Sequence, residues 1–81
     1  MTLMEVRKHK DKLVNVYWFD PTTFVRETLP YVFKNPYALH KNSGVIIHID
    51  KNLVILQHDR CGEEIDCTTI HPQLIHKISK L

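Results

Sequence analysis

The chain has 81 residues, 43% of them hydrophobic and 25% charged, and a formal net charge of +2 at pH 7. This length allows one domain with a single small core, and the composition is typical of a folded chain and excludes disorder along its whole length. No apolar run approaches the roughly 18 residues of a membrane span, and residues 1–12 are too charged for a signal peptide. We therefore predict a cytoplasmic protein without membrane association.

The chain begins with a charged segment, which we assign as a leader at residues 1–12, followed by a domain at residues 13–81. The basic side chains of the leader are Arg7, Lys8, Lys10 and Lys12. Basic side chains bind phosphates, and nearby aromatic rings can stack on bases. The basic leader therefore supports an alternative prediction, that the chain is a nucleic-acid-binding domain. The simpler interpretation is that the leader is a solvated, charged terminus.

The first strand is predicted at residues 13–19, which are rich in Val, Tyr, Trp and Phe. Asp20 and Pro21 have the types expected at an N-cap and a first helical position, so we predict a short helix there that ends near Pro30. Residues 31–42 are predicted to form an irregular loop. The first two strands are thus joined by a long connection with one short helix.

A hairpin is the clearest local signal, centred on Lys51-Asn52 between two apolar runs at residues 44–50 and 53–58. A two-residue turn places Ile49 opposite Val54, and continued alternation defines a core face. The predicted partners that continue this core face are Ile47 with Leu56 and Val45 with His58. The opposite face still carries aliphatic side chains, so either another segment of the chain or a second subunit covers it, and we predict an interface with a second subunit. The predicted interface residues are Ile46, His48, Leu53 and Ile55.

The remaining segments complete a strand order with a recognisable pattern. A fourth strand is predicted at residues 64–70, a tight turn at His71-Pro72-Gln73, and a last strand at residues 74–81. A long first loop, a central hairpin, a fourth strand, a proline-marked turn and a closing strand resemble the SH3-like small barrels. This resemblance implies a mainly β fold, a small five-stranded barrel with one short helix in the long first connection.

A second similarity concerns function. The segment Val16-Tyr17-Trp18-Phe19-Asp20 followed by Ser43-Gly44-Val45 looks like small proteins carried by bacteriophages and prophages. This similarity implies a phage-type accessory protein that acts on host components.

Ligand contacts are predicted in the long first connection, because loops on a rigid barrel are common binding positions. The predicted ligand-binding residues are Tyr37, His40, Lys41 and Arg60, which could hold an anionic small molecule. The alternative is that the aromatic side chains of this loop only close one end of the barrel.

The side chains of His58, Cys61, Cys67 and His71 are the right types for tetrahedral zinc. In the predicted strands the two cysteines are separated by roughly 15 Å, too far apart to bind the same ion. We therefore predict no metal and no cofactor. No histidine has a partner at recognisable catalytic spacing, so we predict a non-enzymatic, self-associating binding module whose ligand is a host protein or a small anion.

Overall fold

The computed structural model of the chain describes residues 1–21, 26–34 and 36–81. The elements in these residues are α1 (Leu3–Arg7), β1 (Leu13–Pro21), α2 (Leu29–Lys34), β2 (Tyr37–Ile49), β3 (Val54–Cys61), β4 (Glu64–Ile70), a 3-10 turn (Pro72–Leu74) and β5 (Ile75–Lys80). The strands form one open antiparallel sheet in the order β4-β3-β2-β1-β5. The mainly β, five-stranded prediction is confirmed, with an open sheet in place of a closed barrel. Of the described helices, neither has the length and hydropathy needed to cross a bilayer.

The connection between β1 and β2 differs from the prediction. Asp20 and Pro21 continue β1 and pair with Ala38 and Tyr37, so the predicted helix start is wrong. The long β2 offers a partner to every residue of β1, and a proline is tolerated at the end of a strand. Residues 22–25 of the predicted helix lie outside the described residues. The helix of this connection is α2, which contains Pro30 in its first turn, where a missing N–H costs least.

A β-bulge changes the register of the central hairpin. Ile49 pairs with Val54 as predicted, but the register then shifts so that Ile46, rather than Ile47, pairs with Leu56. A bulge inserts one extra residue and sends the following side chains to the opposite face. Ile46 is consequently fully buried in the core, and its prediction as an interface residue is wrong. The same shift places Gln57, rather than His58, opposite Val45.

Asp50 organises the turn between β2 and β3. One carboxylate oxygen accepts hydrogen bonds from the backbone N–H groups of Asn52 and Leu53, at 2.7 and 2.8 Å. The other carboxylate oxygen lies 2.6 Å from Nε2 of His48. The hydrogen bond with His48, together with the two backbone donors, holds the pKa of Asp50 below its ordinary value of 3.8.

This depressed pKa predicts an acid-sensitive turn. A carboxyl group whose pKa is lower in the folded than in the unfolded state stabilises the fold above its unfolded pKa, and the contribution is lost as pH falls through the folded pKa. We therefore expect the wild-type free energy of unfolding to fall from about pH 5 downwards more steeply than that of Asp50→Asn. His48→Ala should flatten the profile in the same direction. Urea unfolding from pH 3 to 7 measures this, and superimposable profiles for the three proteins would contradict it.

The core lies on one face of the sheet and includes a residue from the N-terminal segment. Its fully or nearly fully buried side chains are Val6, Val14, Val16, Ile46, Val54, Leu56, Ile70, Ile75 and Ile78. Val6 comes from α1, whose start is stabilised by a capping box in which Thr2 and Glu5 exchange hydrogen bonds. Residues 1–12 are therefore packed with the domain. We call the face that carries this core the inner face and the opposite one the outer face.

The sheet divides into two arms at Gly44. Pairing between β2 and β3 ends at Val45 and Gln57, beyond which β2 pairs with β1 and β3 pairs with β4. At this branch point the Nδ1 atom of His58 lies 2.7 Å from the carbonyl oxygen of Ser43, and Nε2 lies 2.6 Å from the hydroxyl of Thr68. A carbonyl can only accept, so Nδ1 carries a proton. The side chain of His58, in β3, therefore links β2 to β4 at the point where the two arms separate.

Candidate functional site

The four predicted ligand-binding residues do not form one site. Tyr37, His40 and Lys41 all lie in β2, but alternation along the strand places Tyr37 and Lys41 on the outer face and His40 on the inner face. Arg60 belongs to the other arm, where it pairs with Ile65. The structure thus places two of the four residues, Tyr37 and Lys41, on the same face of β2, with Leu39 between them.

Arg60 lies beside an acidic depression at the tip of the β3–β4 arm. The depression has a volume of about 230 Å³ and is lined by Asp59, Arg60, Cys61, Glu64, Ile65 and Asp66. Three of these side chains are carboxylates and one is a cation, so the depression disfavours an anionic ligand. The structure therefore does not place Arg60 in an anion site with Tyr37 and Lys41.

His40 belongs to an inner-face cluster that extends the core along the β1–β2 arm. The indole Nε1 of Trp18 donates a hydrogen bond of 2.8 Å to the Asn42 side-chain oxygen, and the imidazole of His40 lies 5.4 Å from the Trp18 ring. Nε2 of His40 is 3.4 Å from the Asp20 carboxylate. These contacts satisfy the polar atom of a partly buried Trp18. They give His40 a structural role on the face away from Lys41.

On the outer face, the far part of the β1–β2 arm and β5 carry aromatic and basic side chains together. We call this set the aromatic–basic surface; it comprises Tyr17, Phe19, Tyr37, Lys41, His76 and Lys77. Lys41 and Lys77 are the pairing partners of Tyr17 on its two sides. Phe19 and Tyr37 expose 36% and 48% of their surface, so their rings are open to solvent.

Two ring contacts hold the basic residues of β5 against this surface. The ammonium of Lys77 lies 5.0 Å from the centre of the Tyr17 ring, within the range of a cation–π interaction. The ring of His76 contacts Phe19 edge to face, with centroids 5.1 Å apart. A register shift between Tyr17 and Trp18 leaves His76 as an extra residue in β5. A bulge re-aims side chains, and here consecutive residues of β5 reach the same face.

The aromatic–basic surface has no acidic neighbour on the described outer face of its three strands. The other outer-face residues of β1, β2 and β5 are Leu13, Asn15, Leu39, Ser43, Val45, His48 and Ser79. Asp20, the only carboxylate within the described strands β1, β2 and β5, lies on the inner face opposite Ala38. Lys41 and Lys77 therefore create a positive potential that no carboxylate of these three strands offsets on their own face.

The basic residues of the N-terminal segment lie at the other end of β1. Lys10 bridges to Ile46, and the backbone N–H of Asp11 donates to the Ile46 carbonyl oxygen at 2.7 Å, next to the start of β1. From Leu13 to Phe19 an extended strand spans about 20 Å. The leader cations and the aromatic–basic surface are consequently separate positive regions.

The four side chains weighed for zinc are dispersed. Cys61 pairs with Glu64 at the arm tip, Cys67 pairs with Gln57, and both thiols are exposed. The backbone N–H of Gln73 donates to Nδ1 of His71, which caps the 3-10 turn. In the part of the chain that the structure describes, no three His, Cys, Asp or Glu side chains are arranged to hold a metal ion.

Tyr17, Phe19, His76 and Lys77 were not predicted as site residues. Period-two alternation does place Tyr17 and Phe19 on one face of the first strand. Nothing local in the sequence indicates that β5 pairs with β1 or that a bulge turns His76 toward Phe19. These are long-range properties of the fold.

Comparisons with protein-family models, with curated proteins and with solved structures find no match to this chain. The functional interpretation therefore depends on the geometry and charge of the aromatic–basic surface.

Proposed function

We propose that the protein is a non-enzymatic binding module that holds single-stranded nucleic acid on the aromatic–basic surface. The observation that supports this proposal is the exposure of Phe19 and Tyr37 beside Lys41 and Lys77, with no carboxylate among the outer-face residues of the same described strands. Stacking of a base on an aromatic side chain contributes about 1–3 kcal/mol, and every base has a face that can stack. The lysines supply cations for the phosphates between the bases.

The geometry favours a single strand over a duplex. Exposed rings on a sheet face offer a stacking platform, which requires unstacked bases that can turn toward the protein. Phe19 and Tyr37 lie near the arm tip, and Lys41 lies two positions closer to the branch point than Leu39. A single-stranded nucleic acid that runs from the arm tip toward the branch point would therefore contact the rings of Phe19 and Tyr37 first and the ammonium of Lys41 next.

The alternatives are a partner protein, a small anionic ligand and nucleic acid on the leader. The sequence resemblance to phage accessory proteins favours a host protein, and the exposed Leu29 and Phe33 of α2, at 68% and 79%, are suited to such a contact. We favour nucleic acid on the arm because a protein contact through α2 does not require the lysines and rings of the outer face. Each alternative is a distinct outcome of the following experiment.

The test is fluorescence anisotropy with labelled oligothymidine and oligouridine of about 12 nucleotides, within the range of single-domain binding sites. Tyr37→Ala should weaken binding about thirtyfold, the middle of the range for one lost stacking contact. Lys41→Gln should weaken binding and reduce the slope of log affinity against log salt by about 0.7. Phe33→Ala and Lys34→Gln, matched in residue type but located on α2, should bind like the wild type.

Three results would contradict the proposal. Equal affinity for a mononucleotide and for the oligonucleotides would indicate a small anionic ligand. A larger loss from Arg7→Gln with Lys8→Gln than from Lys41→Gln with Lys77→Gln would move the site to the N-terminal segment. No binding at low salt would exclude nucleic acid and favour a partner protein.

A further inference from the structure

The open sheet leaves two edge strands that, among the described residues, pair with another strand on one side only. β4 pairs only with β3, and β5 pairs only with β1. The two edge strands are similar in length, with seven and six residues. A free edge is a template for pairing with another chain, and natural proteins control such pairing with charge. The charges on β4 and β5 therefore indicate which pairing is permitted.

The two edges carry opposite charges. β4 contains Glu64 and Asp66 and no basic residue. β5 contains Lys77 and Lys80, together with His76, and no acidic residue. Two β4 edges repel each other, as do two β5 edges, whereas β4 of one copy attracts β5 of another.

A pair of like charges inside the β3–β4 arm indicates where a lysine of a second copy would bind. Asp59 and Asp66 are direct partners across the two strands, and directly opposed like charges destabilise a sheet. Asp66 lies on the inner-face side of β4, and Lys80 lies on the inner-face side of β5, where it pairs with Val14. A Lys80 from a second copy beside Asp66 would offset the repulsion. The arm would then be more stable in the assembly than alone.

We propose that copies of this chain assemble head to tail, with β4 of one copy paired with β5 of the next. The contact uses different surfaces on its two sides, so it generates a closed ring or an open filament. This interface does not include Ile46 or the exposed rings of Phe19 and Tyr37. It does use β5, which carries His76 and Lys77 of the aromatic–basic surface, but Asp66 and Lys80 lie outside that surface. Charge changes at Asp66 and Lys80 therefore test assembly separately from nucleic-acid binding.

The test is a charge swap monitored by light scattering and native mass spectrometry across a dilution series, in reducing buffer because Cys67 in β4 is exposed. Asp66→Lys and Lys80→Glu, each alone, should raise the concentration needed for assembly at least about tenfold. The double variant should assemble at nearly the wild-type concentration, because it restores opposite charges with reversed signs. Glu27→Lys and Lys34→Glu make the same charge changes outside both edge strands and should behave like the wild type.

The fluorescence of Trp18, the single tryptophan, reports in every variant whether the fold is retained. Wild-type protein that remains monomeric at the highest concentration would overturn the proposal. So would an oligomer that persists unchanged in both single variants, since it would be held by another surface. Failure of the double variant to recover while Glu27→Lys assembles normally would also count against pairing of Asp66 with Lys80.

Discussion

Replacing Gly44 with alanine is expected to lower the free energy of unfolding by about 3 kcal/mol, the upper end of the range for overpacking. A Cβ atom at this position would lie 2.4 Å from the carbonyl oxygen of Gln57 and 3.1 Å from the side chain of Leu56. The clash is mainly with backbone, and Gly44 also pairs with Val14 in β1. β2 therefore cannot move away from β3 without disturbing its other neighbour. Urea unfolding followed by Trp18 fluorescence measures the change.

Gly62→Ala is the matched control, because Gly62 has open space around its Cα atom but a φ of +62°. An added methyl group there meets only the cost of the left-handed conformation, about 1 kcal/mol. We thus expect the free energy of unfolding to be highest for the wild type, lower for Gly62→Ala and much lower for Gly44→Ala. If the two alanine variants were equally stable, the close approach of β2 and β3 at Gly44 would be excluded.

Val6→Ala is expected to reduce the free energy of unfolding by about 2 kcal/mol, because it removes two methyl groups from a fully buried side chain. Such a loss is large for a small domain whose total stability is about 5–10 kcal/mol. The measurement is the same urea titration. Deletion of residues 1–12 should destabilise the domain further, since it removes α1 and its cap as well as Val6.

Met4→Ala is the control for Val6, because Met4 lies in the same helix but exposes 74% of its surface. It should change stability by less than about 0.5 kcal/mol. Equal stability of Val6→Ala and Met4→Ala would show that α1 does not pack on the sheet. If α1 packs on the sheet, deleting residues 1–12 would damage the core as well as remove the N-terminal cations. Substitutions at Arg7 and Lys8 test those cations in nucleic-acid binding without removing part of the core.

The hairpin shows how far local sequence information extends. The pairing of Ile49 with Val54 was predictable, because turn residues between two apolar runs specify the register next to the turn. Three residues further on, alternation from the turn predicts the wrong face for Ile46. In that run aliphatic residues occupy consecutive positions, so alternation gives no preference, and the bulge depends on packing with other strands.

The candidate site shows more strongly the same difference between what local sequence predicts and what long-range packing decides. Residue type alone predicts Tyr37 and Lys41 as ligand contacts, and the structure places them on one face. His40 was selected with them on the same basis, but Asp20 and Trp18 engage it on the other face. Within a long connection of unknown conformation, neighbouring residues cannot be divided between faces. Residues 37–41 of this connection are part of β2, and alternation along that strand places His40 on the face opposite Tyr37 and Lys41.

The sequence alone determined a small, mainly β chain with a central hairpin. Turn residues, β-rich runs and chain length act locally, so they specify these features without reference to the rest of the chain. Only the tertiary structure decided that Val6 joins the core, that Ile46 is buried, and that β5 places His76 and Lys77 beside the rings of β1. These outcomes depend on pairing between distant strands and on two bulges, because register across a sheet is a property of all its strands together.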